Sequence, residues 1–133
     1  MAQGFTSGTT LQVTGTAAVA TLQEQTFGWD GLLVAGVGSM RWYTSSAKTL
    51  KTVRTSVGTP SSSGVVDVDA LMDASTVFTT TTNRPEIAES GYVSSAETPD
   101  VVAFAAGSYI QIEIVDAGTG AEDLTVVITY EEE

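Results

Sequence analysis

Apolar and polar residues alternate along this chain in short runs. In Tyr109-Ile110-Gln111-Ile112-Glu113-Ile114-Val115, the three isoleucines share one face, and Gln111 and Glu113 share the other, as the period of two of a strand requires. Asp123 to Tyr130 repeats the pattern with Leu124, Val126, Ile128 and Tyr130. The Gly-rich stretch 116–122 joins these runs, so they predict an antiparallel hairpin at the end of the fold. Upstream, Val66, Val68 and Ala70 alternate with Asp67 and Asp69. Asp73-Ala74-Ser75 predicts a turn into a strand over Thr76-Val77-Phe78-Thr79-Thr80, which Asn83-Arg84-Pro85 ends. Across 47–57 the apolar positions Leu50 and Val53 are three apart rather than two, which predicts a bulge near Lys51. Met40-Arg41-Trp42-Tyr43 reads as a short strand, Thr9 to Thr16 and Ala18 to Phe27 as two more, and Pro60-Ser61-Ser62-Ser63-Gly64 as a loop. No stretch holds apolar residues at helical spacing for three turns.

Composition agrees with that pattern. Serine and threonine make up about a quarter of the 133 residues, and glycine is frequent; β-branched residues fit a pleated surface, while Gly and Ser punctuate it. The expected fold is all-β, an antiparallel β-sandwich of jelly-roll-like type. A chain of this length buries roughly two-thirds of its unfolded surface, enough for one core without staples. The expected organisation is an N-terminal arm over 1–8, a single sandwich domain over 9–130 and an acidic tail over 131–133.

Charge and residue types narrow the function. Sixteen acids against five bases give −11, which opposes wrapping a nucleic acid whose phosphates need Lys and Arg. No run approaches the roughly 18 apolar residues that cross a bilayer, and the first residues lack the pattern of a signal peptide. With no cysteine and no histidine, thiol nucleophiles, imidazole bases, Cys or His metal sites and a Ser-His-Asp relay are all excluded. Asp67 and Asp69 share a strand face about 7 Å apart, a spacing that glycosidase carboxylates use, though a solvated strand face is the plainer reading. No catalytic residue, metal ligand or cofactor is expected.

Contact residues are a different matter. Arg41, Lys48, Lys51 and Arg54 gather four of the five cations into one short stretch, which suggests a basic docking edge for an acidic partner surface or another copy of the chain. Trp29, in the apparent turn Gly28-Trp29-Asp30-Gly31, Trp42, and the arm residue Phe5 are candidate anchors at a subunit interface; Tyr43 and Tyr92 add possible stacking surfaces.

The ordered series Arg41-Trp42-Tyr43, Val57-Gly58-Thr59-Pro60, Val66-Asp67-Val68-Asp69, Thr76-Val77-Phe78-Thr79-Thr80, Asn83-Arg84-Pro85, Thr98-Pro99-Asp100-Val101, Ala106-Gly107-Ser108-Tyr109 and Asp123-Leu124-Thr125-Val126 resembles a β-rich module of tailed-bacteriophage structural proteins. That module occurs in head decoration proteins and in minor tail proteins or fibres, and the resemblance covers roughly residues 40–130. Leu71-Met72-Asp73-Ala74-Ser75 departs from it, since a plainer Asn-Gly turn would be expected there. The resemblance implies a capsid decoration (cement) protein, a homotrimer bound to the major capsid protein on the outer surface of the virion head, made in the bacterial cytoplasm, without enzymatic activity, nucleic acid or membrane. The alternative it allows is a minor tail or fibre module that binds a host receptor or carbohydrate.

Overall fold

A computed structural model describes residues 21–133. Among these residues ten strands run β1 (Leu22–Leu32), β2 (Gly36–Val37), β3 (Trp42–Tyr43), β4 (Lys48–Thr59), β5 (Val66–Met72), β6 (Ser75–Thr76), β7 (Glu86–Ile87), β8 (Ala103–Phe104), β9 (Tyr109–Asp116) and β10 (Glu122–Glu132), with one 3-10 turn at Thr81–Asn83. All pairings are antiparallel. One sheet has the order β1-β10-β4-β8. In the other, β9 and β5 form the centre, β2 and β3 pair with β9, and β6 and β7 pair with β5. The chain is all-β, as its alternation predicts, and the inner faces of the two sheets share one core.

The alternating residues face as expected. Ile110, Ile112 and Ile114 of β9 and Leu124, Val126, Ile128 and Tyr130 of β10 are all buried, together with Val66, Val68 and Ala70 of β5 and Leu50, Val53 and Val57 of β4. Their partners are not as expected. β9 and β10 do not form a hairpin: β9 pairs with β2, β3 and β5, whereas β10 lies between β1 and β4 in the other sheet. Each has an apolar face, and the core is filled by setting those faces against each other. The connection turns through Gly118 (φ 61°) and Gly120 (φ 76°), a left-handed conformation that glycine takes without a Cβ penalty.

Two local expectations hold. Tyr130 pairs with Leu50 and Thr129 with Thr52, so Lys51 is the extra residue of a bulge. Met72 pairs with Ser75 across Asp73 (φ 50°) and Ala74 (φ 71°), a two-residue hairpin loop with both centres at positive φ. Asp73 suits that geometry, and its carboxylate accepts the Tyr109 backbone N–H at 3.2 Å. Ala74 does not suit it, which is the cost of lacking Asn-Gly here.

Three others are corrected. Gly28-Trp29-Asp30-Gly31 is strand, not turn: the register shifts between Trp29 and Leu32, and Gly31 (φ 82°) and Asp123 (φ 62°) absorb the bulge. The strand expected over 76–80 stops at Thr76, where the Thr76 hydroxyl accepts the Phe78 N–H at 2.9 Å and both Val77 and Phe78 turn into the core. Glu131 and Glu132 continue β10 rather than forming a solvated tail, held opposite Thr49 and Lys48. The expected arm over 1–8 and strand over 9–16 lie outside the described residues.

Candidate functional site

The four clustered cations separate when the chain folds. Lys48 lies on the inward side of β4, only 7% exposed. Its ammonium donates to Thr44 Oγ1 (2.7 Å) and Ser46 Oγ (3.0 Å), pairs with Glu132 (3.0 Å) and lies 5.5 Å from the Tyr130 ring centre. Through these contacts Lys48 and Ser46 hold the Glu132 carboxyl below its usual pKa. Lys48 therefore closes the end of β10 instead of facing a partner. Lys51, on the bulge, is 43% exposed at its side chain and 3.7 Å from Glu131. Arg54 faces outward from β4, and Arg41 precedes β3 in the other sheet with its guanidinium 5.5 Å from the Tyr109 ring centre. Neither arginine makes an ion pair among the described residues. The single basic edge expected from spacing does not form, because strand alternation and the crossing between sheets point its members different ways.

Lys51 and Arg54 nevertheless share the outer face of the β1-β10-β4-β8 sheet. Its register rows set Glu24, Thr129 and Thr52 side by side, then Thr26, Val127 and Arg54. Glu24, Thr52, Arg54, Ala96, Val127 and Thr129 line a shallow depression of about 210 Å³. This is a hydroxyl-rich surface on which Arg54 has no ion-pair partner among the described residues.

The paired aspartates are no wet face. Asp67 accepts a two-pronged contact from Arg84, at 2.7 and 3.2 Å, which keeps that guanidinium charged and both side chains largely buried. Asp69 is only 4% exposed and accepts from Thr76 Oγ1 (2.8 Å) and the Ala70 N–H (2.7 Å). Burial pushes its pKa up, against the pull of those two hydrogen bonds and of Arg84, and Glu113, directly opposite in the register, pushes the same way. Two carboxyls committed in this manner knit β5 to its neighbours. No group of three or more acidic side chains among the described residues is placed to hold a metal ion.

The aromatic residues divide similarly. Trp42 is partly buried against the core, edge-on to Phe104 (5.0 Å between centroids) and Phe27 (6.4 Å) and tilted against Tyr130 (5.1 Å), so most of its ring contacts lie within the chain. Trp29 is half-buried, and its indole N–H donates to the Leu32 carbonyl at 3.1 Å. Tyr43 and Tyr109 lie 5.2 Å apart with their rings tilted by 46° on the outer face of the second sheet, with Tyr43 63% exposed and Arg41 alongside. Phe5 lies outside the described residues.

Sequence reasoning missed a recess between the sheets. Between the sheets, beside β1 and the 38–40 segment, lies a mainly apolar cleft of about 130 Å³, lined by Phe27, Trp29, Met40, Ile112, Leu124 and others. Its sequence signal is weak: Gly38, on its wall, donates its N–H to the Ile112 carbonyl at 2.8 Å, a close approach in which an added Cβ would come within 3.3 Å of that oxygen. The chain matches no known family model, no curated protein and no solved structure.

Proposed function

We propose that this protein is a structural protein of a bacteriophage virion, a decoration protein that binds the outer surface of the head and braces it. The observation that carries this reading is the ordered series of segments between residues 40 and 130 that resembles phage head and tail modules. Support comes also from topology. The chain passes back and forth between a sheet ordered β1-β10-β4-β8 and a second sheet built on β9 and β5, an arrangement we read as a jelly roll, the double-sheet form common in viral capsid and lectin domains. Such a brick would brace a shell by mass action, lowering its free energy by RT ln(1 + [L]/Kd) per site, and a trimer bound to the major capsid protein would add avidity. Of the candidate contacts, Arg54 and Lys51 on the outer sheet and Arg41 on the other remain available; Lys48 and Trp42 are committed internally.

The test is co-sedimentation of the purified protein with undecorated heads. The protein is expected in the pellet, and Lys51→Glu with Arg54→Glu should weaken binding more at low salt than at high, because exposed charges are screened. Failure of the unaltered protein to pellet would remove the reading. A second reading, a tail module that binds a carbohydrate, is favoured by the exposed Tyr43–Tyr109 pair, an aromatic surface on which a sugar ring could lie. Glycan-array binding abolished by Tyr43→Ala would select it.

A further inference from the structure

Three carboxyls and one guanidinium meet on the outer face of the second sheet. Asp67 and Asp69 lie on β5, and Glu113 stands directly opposite Asp69 on β9, so their side chains project from the same side of the ladder. Arg84, which follows the 3-10 turn after β6, forks onto Asp67 and is close enough to act on Asp69 and Glu113 as well. Glu86 on β7 and Asp116 on β9, both opposite Asp67, add two more negative charges. On its other side Glu113 faces Val37 of β2, and it makes no ion pair among the described residues. One cation among five carboxyls leaves an excess of negative charge that a single proton relieves.

Geometry selects the carboxyl that takes this proton. Asp67 is committed to the guanidinium, and Glu113 is only partly buried. Asp69 is 4% exposed, and both hydrogen bonds it accepts among the described residues, from Thr76 Oγ1 and the Ala70 N–H, end on Oδ1. Oδ2 is left to carry a proton. We propose that Asp69 and Glu113 share one proton across the β5–β9 ladder, and that this proton latches the segment from Thr76 to Arg84 onto β5 in a pH-dependent way.

That segment is tied at both ends to carboxyls of one strand, Thr76 to Asp69 and Arg84 to Asp67. The Thr76 hydroxyl also accepts the Phe78 N–H at 2.9 Å, and the Val77 N–H donates to the Ala70 carbonyl at 2.9 Å. Val77 and Phe78 are fully buried, so the first tie sets two core side chains. With the proton in place, Asp69 is neutral, keeps both acceptor bonds and can donate to the Glu113 carboxylate, a charge-assisted pair. Without it, two like charges stand opposite each other on the ladder, which destabilises the pairing. Burial, followed by the Glu113 charge, favours protonated Asp69 against the pull of the Thr76 and Ala70 bonds and of Arg84. Folded Asp69 therefore holds its proton to higher pH than the unfolded chain does. The latch is closed at acidic pH and loosens as pH rises through the raised value.

Two measurements on the full chain test this. NMR of the side-chain carboxyls, titrated from about pH 3 to about pH 8, should show Asp69 losing its proton above the ordinary aspartate value, with the Glu113 resonance moving in the same step. Glu113→Gln should bring the Asp69 midpoint down. In hydrogen exchange, corrected for the chemical rate, the Val77 and Phe78 amides should open at least about threefold more often above that midpoint, while β10 amides keep their protection. Asp69→Asn, whose amide can accept and donate as the protonated acid does, should hold them closed at every pH. A midpoint at or below the ordinary value, or one that Glu113→Gln leaves in place, would overturn the proposal. So would Val77 and Phe78 protection that ignores the Asp69 titration. The unaltered chain alone decides the first and last of these outcomes, so a variant that fails to fold leaves the test intact.

Discussion

The side of the sandwich beyond β4 and β5 and the side beyond β1 and β2 are finished in different ways. On the first, residues 88–102 run along β4 and bond to it repeatedly: Val53 and Glu97 exchange both backbone hydrogen bonds, Ser94 donates to Thr55, Val57 to Tyr92 and Leu50 to Val102. The same segment reaches the other sheet, where the Asp100 and Val101 amides donate to the Val77 carbonyl. Fully buried Phe78 and Phe104 fill the space on this side. On the second side, the described residues leave a strand edge, a cleft and several exposed apolar side chains, Leu22, Leu32, Val34, Val37 and Met40. An irregular segment can close a sandwich as completely as a strand if its amides find carbonyls and its side chains fill the gap; without one, apolar surface remains to be covered.

The contrast can be broken most strongly at the aromatic fillers. Phe104→Ala on the closed side should cost about 3–5 kcal/mol by chemical denaturation, whereas Trp29→Ala beside the cleft should cost about 2 kcal/mol. Equal losses would mean that the two sides are packed alike. Ser94→Ala comes next. The Ser94 hydroxyl oxygen accepts the buried Thr55 N–H at 2.9 Å, and removing it should cost about 1–2 kcal/mol, with faster exchange confined to the 88–102 segment and its β4 partners.

Thr55→Val sharpens the comparison in the opposite direction. The Thr55 hydroxyl is buried without a hydrogen-bond partner, a flaw on the otherwise well-bonded side, and its removal should stabilise by about 1 kcal/mol, read as a higher denaturation midpoint. The smallest effect is a pH dependence. Because burial raises the Asp69 pKa in the folded state, the folded chain holds that proton to higher pH than the unfolded one. The Asp69 contribution to stability is therefore fully present below the ordinary carboxyl value and is lost as pH rises through the raised one. Asp69→Asn should gain stability relative to the unaltered protein as pH rises from below 4 to 7; parallel pH profiles would contradict this.

Legibility followed the range of the interactions. The Lys51 bulge and the Asp73-Ala74 turn were readable because each depends on the spacing of a few neighbouring residues. The buried faces of β5, β9 and β10 were readable because alternation dictates which side is apolar. Alternation does not name a strand's neighbour, so the β9–β10 hairpin was wrongly expected where a crossing between sheets occurs. Gly28 and Gly31 resembled a turn because a bulge uses the same residue. The basic edge dissolved because sequence proximity of Lys48 and Arg54 hides their opposite orientation on β4, and because the partner of Lys48, Glu132, lies at the far end of the chain.

Copy number decides between bracing and binding. In virions separated into heads and tails, quantitative mass spectrometry should find this protein in the head fraction, at a stoichiometry comparable to the major capsid protein. Recovery of only a few to a dozen copies, all with the tails, would contradict a decoration role.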